Sequence, residues 1–259
     1  MINSLIESVL IMAKKPKILL PGIIFMLLDF IARYFFEEQS IEVLFKFLEF
    51  SSYPVVSLQK MPFQVIAGYP GDLMFLGFVL LISSVIGVML SVSIANYLIE
   101  KKSVIGSIIF SIKNALKILV LVLFFGLMLL LSGIVLWIAM LFAVEGGILG
   151  AIILLLVILL MGFVLVHFAF VLTLIAKKLN IKQALKESWN FSSKHFFELI
   201  LLLIGVMLIN AVLSQIYLIV LNTAFGENEL MVLVEMVFSL IILTYSNAVF
   251  PLYYLNKSK

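Results

Sequence analysis

Residues 148–176 read ILGAIILLLVILLMGFVLVHFAFVLTLIA, and Lys177, Lys178, Lys182, Lys186 and Lys194 follow before the next apolar run begins. A bilayer core needs about 20 mostly apolar helical residues. This run exceeds that, carries no Asp, Glu, Lys or Arg, and is closed by lysine. Length selects helix over strand where an apolar run is continuous. Five more windows read the same way: 18–36, 73–99, 118–142, 197–222 and 230–255. The runs at 73–99 and 148–176 are longer than a crossing needs, so tilt or protrusion is expected there.

Composition agrees. The chain has 259 residues, 64% hydrophobic and 12% charged. Ordinary soluble domains are roughly half apolar and a quarter charged, and a soluble chain of this length could not cover so much apolar surface. The 17 basic residues set the orientation: all but Arg33, Lys46 and Lys60 precede the first span, lie between spans two and three or four and five, or end the chain. The opposite side holds Glu37, Glu38, Glu42, Glu49, Asp72, Glu145, Glu227 and Glu229. Positive residues stay inside, so both termini are expected in the cytoplasm of a multi-pass cell-membrane protein, one membrane domain spanning 1–259. The amino terminus is read as the first span rather than as a secretory signal. Its basic cluster starts at Lys14, Asp29 interrupts the apolar run, and no small-residue cleavage site follows.

A short pattern recurs before spans one, three and five: Ser4 to Lys14, Ser103 to Lys113 and Ala184 to Lys194. In register, Ser8, Ser107 and Ser188 align, and Lys14, Lys113 and Lys194 follow six residues later. Leu5 and Glu7 also match Leu185 and Glu187. Ser4 with Glu7, and Asn180 with Gln183, have the spacing of capping boxes. Ile181, Leu185, Trp189 and Phe196 make an apolar stripe, with Lys182, Lys186 and Glu187 off it. Such a helix lies in the interface plane of a leaflet, and each lysine near anionic lipid adds roughly 1 kcal/mol of attraction. The expected fold is therefore all-α: six transmembrane helices as three parallel helical hairpins, each led in by an interfacial elbow helix on the cytoplasmic side. A docking face for anionic lipid headgroups, a membrane-protein partner or a second copy is the sharper reading of the elbows.

The Lys14-Lys15-Pro16-Lys17 lead into span one, and Gln183-Ala-Leu-Lys-Glu-Ser-Trp189 followed by Lys194 and an apolar run, resemble a broad family of uncharacterised six-span prokaryotic membrane proteins, common in archaea. That family is similar to the membrane domain attached to some bacterial glycerophosphodiester phosphodiesterases. The resemblance would cover most of the chain and implies the six-span architecture. It does not imply the phosphodiesterase activity, because the barrel with its carboxylate and His cluster is missing from this sequence.

Ionisable groups within spans are functional candidates by default. Asp29 and Arg33 stand four apart on one face of span one, Asp29 roughly 16 Å along the helix from its inner end. They are read as an ion pair orienting that span, the alternative being a proton or cation site. Glu235 either reaches the outer interface or pairs with Arg33. His167 is expected to make an interhelical hydrogen bond rather than relay protons. Asn210 and Gln215 on span five, Asn96 on span two and Asn247 on span six are read as helix-to-helix glue. Ser83, Gly87, Ser91 and Ala95 repeat every four residues, and Gly146 with Gly150 and Gly147 with Ala151 do likewise, which marks close helix contact. Pro21 and Pro251 fall near span ends. The outer loop, 37–72, holds an amphipathic stripe of Ile41, Leu44, Phe45 and Leu48 and ends at Asp72, placed to cap span two.

No Cys is present and the two His fall on different elements, so neither a thiolate site nor a His-built metal centre is expected, and no cofactor. A net charge of +3 is explained by topology and not by nucleic acid. No nucleophile–base set is legible. The expected role is non-catalytic: a scaffold, a lipid-associated protein or an accessory subunit. The alternative is a transporter or channel component with a polar route near Asp29, Arg33 and Glu235.

Overall fold

The computed structural model describes residues 2–34, 70–101, 103–145, 147–220 and 230–258. Every described element is helical. In chain order they are α1 (Ile2–Lys14), a 3-10 turn (Pro16–Ile18), α2 (Leu19–Tyr34), α3 (Pro70–Glu100), α4 (Val104–Lys113), α5 (Ala115–Glu145), α6 (Gly147–Phe168), α7 (Val171–Ala176), α8 (Ile181–Lys194), α9 (Phe196–Val220) and α10 (Leu230–Lys257). The chain divides into two compact units, Met1–Ile23 with Val88–Lys259, and Ile24–Gly87. The described part of the second is the remainder of α2 and the first half of α3. The first holds every other described helix.

Among the described residues five helical segments are long and apolar enough to cross a membrane: Gly77–Glu100, Ala115–Met140, Gly147–Ala176, Phe196–Tyr217 and Met236–Lys257. The apolar helix expected as the first span, Pro16–Leu28, is shorter than these. The amphipathic stripe expected at Ile41, Leu44, Phe45 and Leu48 lies outside the described residues. Helix α3 begins at Pro70, so Asp72 stands inside its first turn rather than ahead of it. Proline is favoured there because the N–H it lacks would have no helical partner.

The core of the first unit sits toward the lysine-rich end. Leu90 and every residue from Val92 to Asn96 are buried, so this part of α3 is enclosed on all sides. Also buried in this unit are Ile118 and Leu121 of α5, Val171 and Thr173 to Ala176 of α7, Leu199 and Leu202 of α9, and Tyr245, Ala248, Val249 and Leu252 to Tyr254 of α10. The apolar segment made by α6 and α7 is the least enclosed of the long ones, with only 6% of its most apolar stretch buried. Helices α5 and α6 form a hairpin that turns at Gly147, whose φ of +56° suits glycine, since L side chains pay a steric cost there. Gly150, one turn on, is buried.

The span expected at 148–176 stands as one apolar segment, Gly147–Ala176, with its helix interrupted between Phe168 and Val171. One expectation needs correction: Pro251 is not at a helix end but inside α10, which continues to Lys257.

Candidate functional site

Polar chemistry among the described residues gathers at the lysine-rich end, around α1, α4 and α8. Each of these short helices ends on the aligned lysine, Lys14, Lys113 or Lys194. A single residue then breaks the ladder: Lys15, Asn114 or His195. The break residue serves both helices. Its carbonyl accepts the first bond of the element that comes next, from Ile18, Ile118 and Leu199 respectively, each at 3.0 Å. Those three donors are themselves buried, which fixes the corner between short helix and long one.

The aligned serines, Ser8, Ser107 and Ser188, are all 0% exposed. Ser4, Ser111, Ala184 and Ser192, four residues away on the same faces, are buried too. Small side chains at this spacing let helix backbones approach closely. The buried face of α1 and α8 is thus the small-residue face, α4 buries Val104 and Ile108 beside its serines, and Ile6, Leu10, Ile105, Ile109 and Trp189 remain exposed. In α8 the stripe of Ile181, Leu185, Trp189 and Phe196 flanks the buried face and does not form it.

Equal burial conceals unequal bonding. Ser8 donates to Leu5 O at 2.7 Å, Ser107 to Ser103 O at 3.2 Å and Ser111 to Ile108 O at 2.8 Å, all local to their own elbows. Ser188 instead crosses to another element. Its Oγ donates to His167 O at 2.7 Å and accepts from Phe170 N at 3.3 Å. These are backbone groups at the break between α6 and α7. One hydroxyl therefore supplies a donor and an acceptor where the helical ladder is interrupted, which a buried backbone requires.

His167 is buried beside that break. Its Nδ1 lies 2.8 Å from Phe163 O, one turn back on the same helix, so the interhelical hydrogen bond expected of it is not the bond it makes. Contact between helices comes from its ring, 4.2 Å from Trp189 and 5.6 Å from Phe196, with Phe163 at 4.1 Å. A second aromatic cluster joins Phe170 to Phe191, Phe250, Tyr253 and Tyr254.

The ends of α3, α7 and α10 are laced together. Asn96 Nδ2 donates to Ala176 O at 2.7 Å. Lys178 pairs with Glu100 at 3.3 Å. Lys177 donates to the Tyr254 hydroxyl at 3.4 Å. Tyr253 donates to Glu198 at 2.7 Å, and Lys257 pairs with the same carboxylate at 2.8 Å. Lys101 and Lys178 come after α3 and α7 with φ of 51° and 68°. Two residues after each stands an N-cap. Ser103 accepts from Gly106 N at 3.1 Å and Asn180 from Gln183 N at 2.8 Å. Asn180 is the cap expected. Ser4 is not: α1 starts at Ile2, and both Ser4 and Glu7 accept from Asn256 Nδ2, at 3.3 and 2.9 Å.

Within the spans, Asn210 donates to Ser246 Oγ at 2.9 Å, joining α9 to α10, and Asn247 accepts from Ser91, joining α10 to α3. Both are the glue expected of them. Gln215 is exposed instead. Of the four-residue stripe on α3, Ala95 is buried and Ser91 is bonded, whereas a Cβ built on Gly87 would meet nothing within 4 Å. The side chains of Asp29, Arg33 and Glu235 lie outside the described residues. Among the described residues no group of three or more His, Cys, Asp or Glu is placed to hold a metal.

Residues missed from sequence are Ser103, Glu198, Ser246, Tyr253 and Asn256. Ser103 had a signal: a Ser just ahead of an apolar helix, in the place Asn180 takes in the later copy. Glu198 had one too, as an acid in the first turn of α9, where the helix dipole favours negative charge. No protein-family model, no curated protein and no solved structure matches the chain.

Proposed function

We propose that the chain is a non-catalytic, multi-pass protein of the cell membrane, with a lipid-associated scaffold or accessory role. In this reading six spans form three parallel hairpins, both termini face the cytoplasm, and the elbows α1, α4 and α8 rest on the inner leaflet. Any relationship to the six-span prokaryotic family then extends to architecture and not to phosphodiester cleavage.

The observation that carries the reading is the split face of the elbows. Each buries small Ser or Ala side chains, joined in α4 by Val104 and Ile108, leaves other large apolar side chains exposed, and ends on a lysine. A helix with its small face taken by protein and its apolar face open has a place at the boundary of headgroups and acyl chains. Lys14, Lys113 and Lys194 would then meet anionic headgroups. The polar side chains described within the spans also support a structural role, since Asn210, Ser246, Ser91 and Asn247 are engaged with one another across helices.

The test is lipid retention by the full-length protein in native mass spectrometry. Phosphatidylglycerol should be retained over phosphatidylcholine. Changing Lys14, Lys113 and Lys194 together to Gln should weaken that retention by roughly 100-fold, at about 1 kcal/mol per lysine. Equal retention of both lipids by the unmodified protein would overturn the reading.

A further inference from the structure

We propose that the cleft between α1 and the end of α10 binds the headgroup of an aminophospholipid, a lipid that carries a primary ammonium beside its phosphate. The inference rests on the lipid-associated reading above and assigns one site within it.

The cleft arises from two helical stripes. Asn3, Ile6, Glu7 and Leu10 stand three and four apart on α1, and Tyr253, Asn256 and Lys257 do the same on α10. With Ser4 they line an open cleft of about 700 Å³, within the roughly 300–1,000 Å³ typical of small-molecule sites. The walls carry opposite charges. Glu7 is half-buried, its carboxylate is oriented by Asn256 Nδ2 at 2.9 Å, and among the described residues no Lys or Arg pairs with it. A carboxylate held in place without a cation is a receptor for an ammonium donor. Lys257 supplies the other charge. Both bonds of its Nζ go to Glu198, at 3.0 and 2.8 Å, and an ammonium has three donors, so one remains for a phosphate oxygen. Ile6 and Leu10, exposed by 53% and 44%, extend the cleft with apolar surface. A soluble headgroup would leave that surface wet, whereas the first methylenes of an acyl chain would cover it. A primary ammonium can donate hydrogen bonds to Glu7; a trimethylated one cannot.

The experiment titrates full-length protein in detergent with phosphatidylethanolamine, phosphatidylcholine and phosphatidylglycerol, and reads retained lipid by native mass spectrometry. Phosphatidylethanolamine should be retained at roughly tenfold lower concentration than phosphatidylcholine, one charge-assisted hydrogen bond's worth. Glu7→Gln should erase that preference, its amide oxygen still able to accept from Asn256. Soluble glycerophosphoethanolamine at equal concentration should not displace the lipid. Equal retention of the ethanolamine and choline lipids by the unmodified protein, which needs no variant, would overturn the site, as would an undiminished preference in Glu7→Gln. Displacement by the soluble headgroup would overturn the assignment to lipid. Absence of the ethanolamine preference with phosphatidylglycerol still retained sinks this cleft alone; absence of phosphatidylglycerol retention in the unmodified protein sinks the broader reading.

Discussion

A buried hydroxyl does different work according to what lies across from it. Ser107 and Ser188 occupy equivalent places and are equally buried, yet Ser107 bonds only a carbonyl of its own elbow while Ser188 serves two backbone groups of another element. Removing the hydroxyl should separate them. Ser107→Ala keeps the small shape and gives up a weak local bond, so stability should stay within about 0.5 kcal/mol. Ser188→Ala strands His167 O and Phe170 N, at about 1–3 kcal/mol for each unsatisfied group. Thermal melts of the two variants in one detergent should show a clear fall for Ser188→Ala and almost none for Ser107→Ala. Matching falls would mean that the cross-element bonds carry no weight. The Ser-x5-Lys spacing marks both residues from sequence. It cannot tell them apart, because the difference lies in the broken helix opposite, and the apolar run 148–176 carries no Gly or Pro near residues 168–171 to announce a break.

At the level of elements, corners are set by single residues in unusual conformations. The left-handed residue after a helix is usually glycine, because a Cβ there meets the backbone. Here it is Lys101 after α3 and Lys178 after α7. A lysine at that place sets positive charge against the negative end of the helix dipole and accepts some steric strain. Lys101→Gly should release roughly 1 kcal/mol of that strain and raise the melting temperature, with lipid retention little changed. Lys178→Gly should gain less, because it also gives up the pair with Glu100. Helix positions were legible from apolar length alone: 118–142 and 197–222 fall within a few residues of α5 and α9. The elbows were legible from the repeated Ser and Lys. Which face of an elbow turns inward was not, because hydrophobicity points to the Ile and Trp stripe. The small side chains take most of the protein contact, with Val104 and Ile108 beside them in α4.

For the whole molecule, the asymmetry of lysine makes topology directly testable. The sequence contains no cysteine, so a single introduced thiol reports on one position without background. In sealed inside-out vesicles, Ser258→Cys and Ser103→Cys should react with a membrane-impermeant maleimide, and Ser40→Cys should not. Right-side-out vesicles should give the reverse. Reaction of Ser258→Cys and Ser40→Cys from the same side would require an odd number of crossings between them to be replaced by an even one, and the six-span arrangement would fall.

The contact of Asn256 with Ser4 and Glu7 joins positions 252 and 249 residues apart. A ribosome releases α1 long before it makes the end of α10, and through that interval the small-residue face of α1 lacks the surface it later fits. The closing of the bundle is therefore timed by the arrival of its last helix. A chain stalled ahead of residue 253 would present an unclosed seam at the membrane, the kind of mark by which a cell's proteases separate unfinished products from finished ones.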